Sequence, residues 1–322
     1  MRACLLVLLA CVTASVAGAV TFAEGFSTDP IQDGWRMFGN TNLFQWDPAG
    51  QQLEVTWDSS QTNSYFYHPL GTILGRDDSF HLSFDLVLQD YVIGGNTNQP
   101  FTFEIAIGFF NLFNATQTNF FRGTGVNPDY GPKNLVEFNF FPPFSIFRAT
   151  IAQAMVSTTN TWLYNNNNLI SMAPGALYRV DLDYDGAAQR LTTTVTNNGI
   201  QYGQTQLIQV PTNFDFRADS VSVSSYSDQY SDGSILAHGT VDNIVVTVPP
   251  PPIQNLSIAL NAGVAQVQFT SRSNWVYTLQ RTIDFQGWFQ ASVPSPGGGL
   301  LVLSDSLPPA KSAFYRVCAI RP

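Results

Sequence analysis

The chain has 322 residues, with 14 lysines and arginines against 23 aspartates and glutamates, a net charge of −9 and charged residues at only 11%. Lys133 and Lys311 are its only lysines, so no basic stripe exists to neutralise phosphates, which excludes nucleic acid and anionic membrane surfaces as partners. Glutamate occurs only at Glu24, Glu54, Glu104 and Glu137, whereas 25 phenylalanines and 12 tyrosines join abundant Thr, Asn and Gly. That composition suits pleated sheets and turns rather than helices.

In chain order, the first element is a leader. Met1-Arg2, an apolar stretch from Ala3 to Val16, and Ala17-Gly18-Ala19 form the three parts of a secretory signal, with cleavage expected before Val20. The apolar stretch falls short of the ~20 residues that a membrane span needs. A rival reading takes Leu8-Leu9-Ala10-Cys11 as a lipobox, which would leave a very short signal. Cleavage before Val20 removes Cys4 and Cys11 and leaves Cys318 alone, so no intrachain disulfide is expected and no membrane anchor remains. The expected location is outside the cytoplasm, secreted or at the cell surface.

Period-two segments follow. Leu53, Val55 and Trp57 alternate with Glu54, Thr56 and Asp58. Phe80, Leu82, Phe84, Leu86 and Leu88 share one face of a strand, opposite His81, Ser83, Asp85, Val87 and Gln89. The runs 101–110 and 134–141 are richer in apolar residues, as in central strands. Residues 177–200 read as a hairpin turning at Asp185-Gly186. The last strand of this region, Gly239 to Val248, runs into Pro249-Pro250-Pro251-Pro252, which cannot continue a sheet and marks a boundary. Five short strands are expected after it. The fold class is therefore all-β: a signal over 1–19, a large jelly-roll-like antiparallel sandwich over 20–248, a proline linker over 249–252 and a small β-sandwich module over 253–322.

Two resemblances attach to particular residues. Tyr277-Thr278-Leu279-Gln280-Arg281-Thr282, Asp284-Phe285, Trp288, Asp305 and Phe314-Tyr315-Arg316-Val317 resemble a fibronectin-III-like module at the ends of secreted verrucomicrobial proteins. The resemblance implies a non-catalytic appendage, and Tyr277, Trp288, Phe314 and Tyr315 read most simply as core residues of a small sandwich. Asn134 to Phe141, Tyr178 to Tyr184 and Val241-Asp242-Asn243-Ile244 are similar to strands of the concanavalin-A-like lectin/glucanase superfamily, laminin-G-like domains included. That likeness implies a jelly roll with a glycan-facing surface. The legume-lectin strand "VEFD", whose acids hold a metal pair, reads Val136-Glu137-Phe138-Asn139 here, and Pro142-Pro143-Phe144 replaces the downstream ligands. The departure speaks against a dinuclear metal site of that type.

The chemistry is sparse. Glycoside hydrolysis needs two carboxylates with different roles, and the best candidate strand carries Glu137 alone, with Glu104 on another strand. His68, His81 and His238 lack metal-ligand spacing and read as surface or turn residues, while Cys318 reads as a small buried hydrophobe. Asp181 to Gly186 imitates the start of a calcium loop, but Thr192 stands where the bidentate Glu belongs. A structural calcium is instead expected from Glu24 and Asp242, where the first and last strands of the sandwich meet. Sugar binding asks for aromatic faces beside amides and carboxylates; Trp162, Tyr164 and Asn165 offer one such group, Asp129 and Tyr130 another. Trp162 reads equally well as core. The function adopted is an exported, lectin-like, non-catalytic protein whose partner is a glycan or cell-envelope polysaccharide. The alternatives are a structural or adhesive envelope protein without a sugar site, and a polysaccharide hydrolase or lyase using Glu137.

Overall fold

Alternation of apolar and polar residues dictates two broad sheets, because side chains one strand position apart point to opposite faces. The structure is a computed structural model that describes residues 18–93, 105–120, 122, 133–143, 148–227, 235–309 and 312–322. The chain divides into two compact units, the first spanning 19–249 and the second containing 250–322.

In the large unit, a nine-stranded sheet runs in the order Ile200–Gln201, Arg190–Asn197, Leu177–Asp185, Phe80–Ile93, Ile235–Val248, Gln52–Asp58, Phe44–Asp47. Val20–Glu24 adds to Ile235–Val248, and Gln206–Gln209 to Arg190–Asn197. A seven-stranded sheet runs Trp162–Asn168, Thr150–Val156, Leu135–Phe141, Ile105–Phe110, Ala218–Ser225, Ser64–Leu74, Arg36–Phe38. Pairing within both is antiparallel. The architecture is a jelly-roll-like sandwich. Its core interleaves Leu82, Phe84, Leu86 and Leu88 of the first sheet with Ile107, Phe109, Val136, Phe138 and Val223 of the second. Phe84 meets Phe138 edge-on across the layers at 5.7 Å, and Trp35 stacks on Phe66 at 4.6 Å.

The hairpin at residues 177–197 forms with Asp185 opposite Arg190, and the Asp185 carboxylate accepts from the N–H groups of Ala187 and Ala188. Its aspartates shape the turn and line the solvent face. The histidines correct the turn expectation. His81 and His238 lie within strands, pairing with Asp183 at 2.7 Å and Asp90 at 2.8 Å. The hydrogen bond to Asp183 raises the His81 pKa against the opposing effect of burial. His68 also sits in a strand, half-buried beside Phe22 and Trp35. No helix among the described residues is long and apolar enough to cross a membrane.

The small unit is a second, slighter sandwich. One sheet orders Ile253–Asn261, Val264–Ser271 and Gly299–Asp305; in the other, Val276–Thr282 pairs with Phe289–Gln290, Ser295–Pro296 and Phe314–Ile320. Ala265, Val267, Phe269, Tyr277, Leu279 and Leu303 are buried between them. Burial alone would raise the Asp305 carboxyl, but hydrogen bonds from Arg281, the Leu307 N–H and Tyr315 outweigh it and hold its pKa low. Four expectations of burial need correction. Phe314 is 44% exposed and packs on the still more exposed Phe285 at 4.2 Å, because its strand is a sheet edge. Trp288 and Tyr315 are half-buried, Trp288 lying under the Arg316 guanidinium at 4.2 Å. Cys318 is likewise only partly buried, its thiol 3.2 Å from Gln280 Oε1.

Candidate functional site

The strand Leu135–Phe141 sends Val136, Phe138 and Phe140 into the core, so Leu135, Glu137, Asn139 and Phe141 must line the outer face of the seven-stranded sheet. Register then fixes their neighbours. Across one rung lie Tyr164, Ala154, Glu137, Gly108 and Ser222; across the next, Ala152, Asn139, Ala106, Ser224 and Tyr65. Alanine, glycine and serine thus flank both polar residues and leave a trough. Gly108 has to be glycine, since a Cβ there would stand 2.3 Å from the Val136 carbonyl oxygen and 2.7 Å from the Glu137 Cα.

Arg122 lies across this trough. Its Nε donates to Glu137 Oε2 at 2.9 Å and an Nη to Asn139 Oδ1 at 3.0 Å, and its guanidinium stands 4.8 Å over the Trp162 ring. The Tyr226 hydroxyl donates to the other Glu137 oxygen. Arg122 and Glu137 are 2% and 1% exposed, a buried ion pair with both carboxylate oxygens engaged. Burial, reinforced by the Glu137 charge, pushes the Tyr65 and Tyr226 hydroxyls well above the usual phenol range, so both are fixed as neutral donors. Tyr65 donates to the Ala115 carbonyl at 3.0 Å. One donor is left over: Asn139 Nδ2 is fully buried and has no hydrogen-bond partner among the described residues. Leaving such a donor unpaired costs ~1–3 kcal/mol.

Trp162 and Tyr164 stand on the edge strand of this same sheet, pointing to the trough side. Trp162 is half-buried: its Nε1 donates to Asn160 Oδ1 at 3.0 Å and its ring packs against the cluster of Tyr65, Phe110 and Phe120. Tyr164 is 42% exposed, its ring edge-on to Phe141 at 6.4 Å. Asn165 ties the edge down instead of facing solvent freely, donating to the Leu207 carbonyl at 3.0 Å and accepting from the Asn167 N–H. Asp129 and Tyr130, and Glu104, lie outside the described residues.

Glu24 and Asp242 occupy the paired first and last strands of the sandwich, with Glu24 opposite Ile244 and Asp242 opposite Asp85. Glu24 Oε1 accepts from the Phe26 N–H at 2.6 Å; Asp242 accepts from both the main-chain and side-chain nitrogens of Asn243. Burial raises both carboxyls. Arg179 bridges Asp85, Ser83 and the Asn243 carbonyl beside them. Each acid is thus drawn into its own turn, and among the described residues no three His, Cys, Asp or Glu side chains gather to hold a metal ion. Calcium takes six to eight oxygens, so an ion beside these two carboxylates would draw on main-chain carbonyls as well.

The sequence pointed to Glu137 and the aromatic edge but missed Arg122 and Tyr226. The stretch Ser220-Val221-Ser222-Val223-Ser224 held a signal: valines face the core while serines make the opposite face small and polar. No protein-family model matches the chain, and no curated protein does. Among solved structures, it is similar to peanut lectin with a nine-residue peptide (14% identity, 73% of this chain and 100% of that chain, TM-score 0.45). It is similar also to lectin I from Ulex europaeus in complex with the methyl glycoside of alpha-L-fucose (15%, 72% and 99%, TM-score 0.46). Arcelin-5, a lectin-like defence protein from Phaseolus vulgaris, is a third (16%, 72% and 99%, TM-score 0.44). At these identities the likeness concerns the arrangement of strands alone.

Proposed function

We propose that the chain is an exported, non-catalytic glycan-binding protein whose binding face is the outer face of the seven-stranded sheet. The observation that carries the reading is the rung on which exposed Tyr164 stands one small residue, Ala154, away from Glu137. An aromatic ring offers a surface for sugar C–H groups, and the buried Arg122–Glu137 pair and Asn139 form a polar floor beside it on the same sheet face. Catalysis is not part of the reading. Glu137 is held by Arg122 and Tyr226 on both oxygens, and acid–base hydrolysis requires a second carboxylate with a different task.

The test is a glycan-array screen of the full chain, followed by Tyr164→Ala. The variant is expected to bind about tenfold more weakly, the worth of ~1.4 kcal/mol, with its melting temperature nearly unchanged because the ring is partly in solvent. Undiminished binding by Tyr164→Ala would remove the aromatic contact. Cleavage of a bound polysaccharide that Glu137→Gln abolishes would overturn the non-catalytic reading. Near-complete burial of Arg122 and Glu137 favours a second reading, a structural envelope protein whose trough is simply filled; absence of binding to any glycan would select it. Export has its own check: the secreted product should begin at Val20 by mass spectrometry, and a lipid-modified Cys11 at its start would contradict it.

A further inference from the structure

The small unit has an unfinished edge. Among the described residues, strand Ile253–Asn261 pairs on one side only, with Val264–Ser271. Its core-side residues continue the rows of that neighbour, Leu260 opposite Ala265 and Ile258 opposite Val267, yet Ala265 and Val267 are buried while Ile258 and Leu260 are 59% and 69% exposed. Leu256 is 57% exposed. Ile258 and Leu260 face an open groove of about 540 Å³, lined also by Pro308, Pro309 and Tyr315, and Leu256 and Ile258 line a second of about 300 Å³ that reaches Phe314. An apolar edge strand without a single charge is what folded proteins normally avoid, because its free N–H and C=O groups template further pairing.

We propose that this edge is a dimer interface, on which Ile253–Asn261 pairs antiparallel with the same strand of a second copy of this chain. Residues 255–261 read Asn-Leu-Ser-Ile-Ala-Leu-Asn, a pattern symmetric about Ile258. Antiparallel pairing centred there sets Ile258 against Ile258, Leu256 against Leu260 and Ser257 against Ala259, and it stops at Asn255, which has a φ of 52° and lies in the bulge between Gln254 and Ser257. A two-fold contact demands such self-complementarity.

The hydrogen-bond phase agrees. Ala262 and Gly263, with φ of 50° and 82°, form the two-residue turn that makes Asn261 and Val264 a hydrogen-bonded pair. Main-chain groups alternate from there, so Ala259 and Ser257 bond to Val264–Ser271, while Leu260 and Ile258 direct theirs to the free edge. Those are the residues the symmetric register uses. Each three-stranded sheet then becomes half of a six-stranded one, and the apolar row runs unbroken across the dyad. The molecule's net charge of −9 disfavours self-association elsewhere, but neither Ile253–Asn261 nor Val264–Ser271 carries a charge to oppose it here. The exposed Leu256, Ile258, Leu260 and Phe314 of two copies amount to roughly 800 Å², and main chain and polar neighbours must add the rest to reach the ~1,200 Å² where specific interfaces begin.

The experiment is sedimentation of the full-length chain over about 1–200 µM, the range such a contact should occupy. A reversible dimer is expected, and Ile258→Lys, which sets two like charges face to face on an exposed position, should weaken it more than tenfold without moving the melting temperature. Register is read by cross-linking in a Cys318→Ser background. The double variant Ser257→Cys/Ala259→Cys should oxidise to a covalent dimer, whereas neither single variant should. A monomer throughout the range, a dimer indifferent to Ile258→Lys, or single cysteines that cross-link as readily as the pair would each overturn the proposal.

Discussion

Replacing Arg122 with alanine should destabilise the large unit by ~3–5 kcal/mol, the cost of stripping one partner from a buried ion pair. Glu137, 1% exposed beside Arg122, would be left with one oxygen unanswered, and Asn139 Oδ1 would lose its donor while Nδ2 still lacks an acceptor. A typical domain is stable by only ~5–15 kcal/mol, so the effect is large enough to read by urea unfolding. The paired variant Arg122→Met/Glu137→Gln should lose much less, since no charge is then left buried, and the difference between the two measures the coupling. A loss below ~1 kcal/mol for Arg122→Ala would mean that the trough admits water and that the pair is not desolvated.

Gly108→Ala should cost ~3 kcal/mol although it adds one methyl group. The methyl would lie within 2.3–2.7 Å of the main chain of Leu135–Phe141, and main chain in the middle of a sheet cannot step aside as a flexible side chain can. The strands must part, which carries Glu137 with them. The effect should therefore be non-additive with Arg122→Ala, because both act on the same pair. Gly71→Ala is the contrast: its φ of +68° strains alanine, but the space around it is open, so ~1 kcal/mol is expected. Thermal melting of the two variants side by side decides the matter, and equal losses would show that crowding at Gly108 is relieved.

The fold was legible wherever burial follows from a local rule. Phe80, Leu82, Phe84, Leu86 and Leu88 were assigned to one inward face because alternation in a strand is built into the backbone, and all five are buried. The candidate site was legible only in fragments, because its bonds span the chain. Glu137 looked solitary because Tyr226 lies 89 positions away and Arg122 15 positions before it, with no spacing to announce either. Trp162 was balanced between platform and core for the same reason: whether its ring is covered depends on Arg122, not on the asparagines around it. Phe314 was read as core with the other aromatics of its module, yet its strand is an edge, and the sequence does not reveal which strands lack a neighbour.

The seating of Ile235–Val248 between Phe80–Ile93 and Gln52–Asp58, with Val20–Glu24 also upon it, sets the order of events in time. Val20 lies opposite Val248, so the first strand of the sandwich waits for the last. A ribosome must therefore deliver nearly the whole large unit before its nine-stranded sheet can close. Sheets dominated by such distant pairings form in roughly milliseconds to seconds, faster than a ribosome adding ~5–20 residues per second supplies them, so arrival of the last strand sets the pace. Until residue 248 emerges, what exists is a pliable chain with unsatisfied edges. Maturation of this protein is thus a late, single closure rather than a gradual accretion, and a truncation just short of that strand should leave no smaller native sandwich behind.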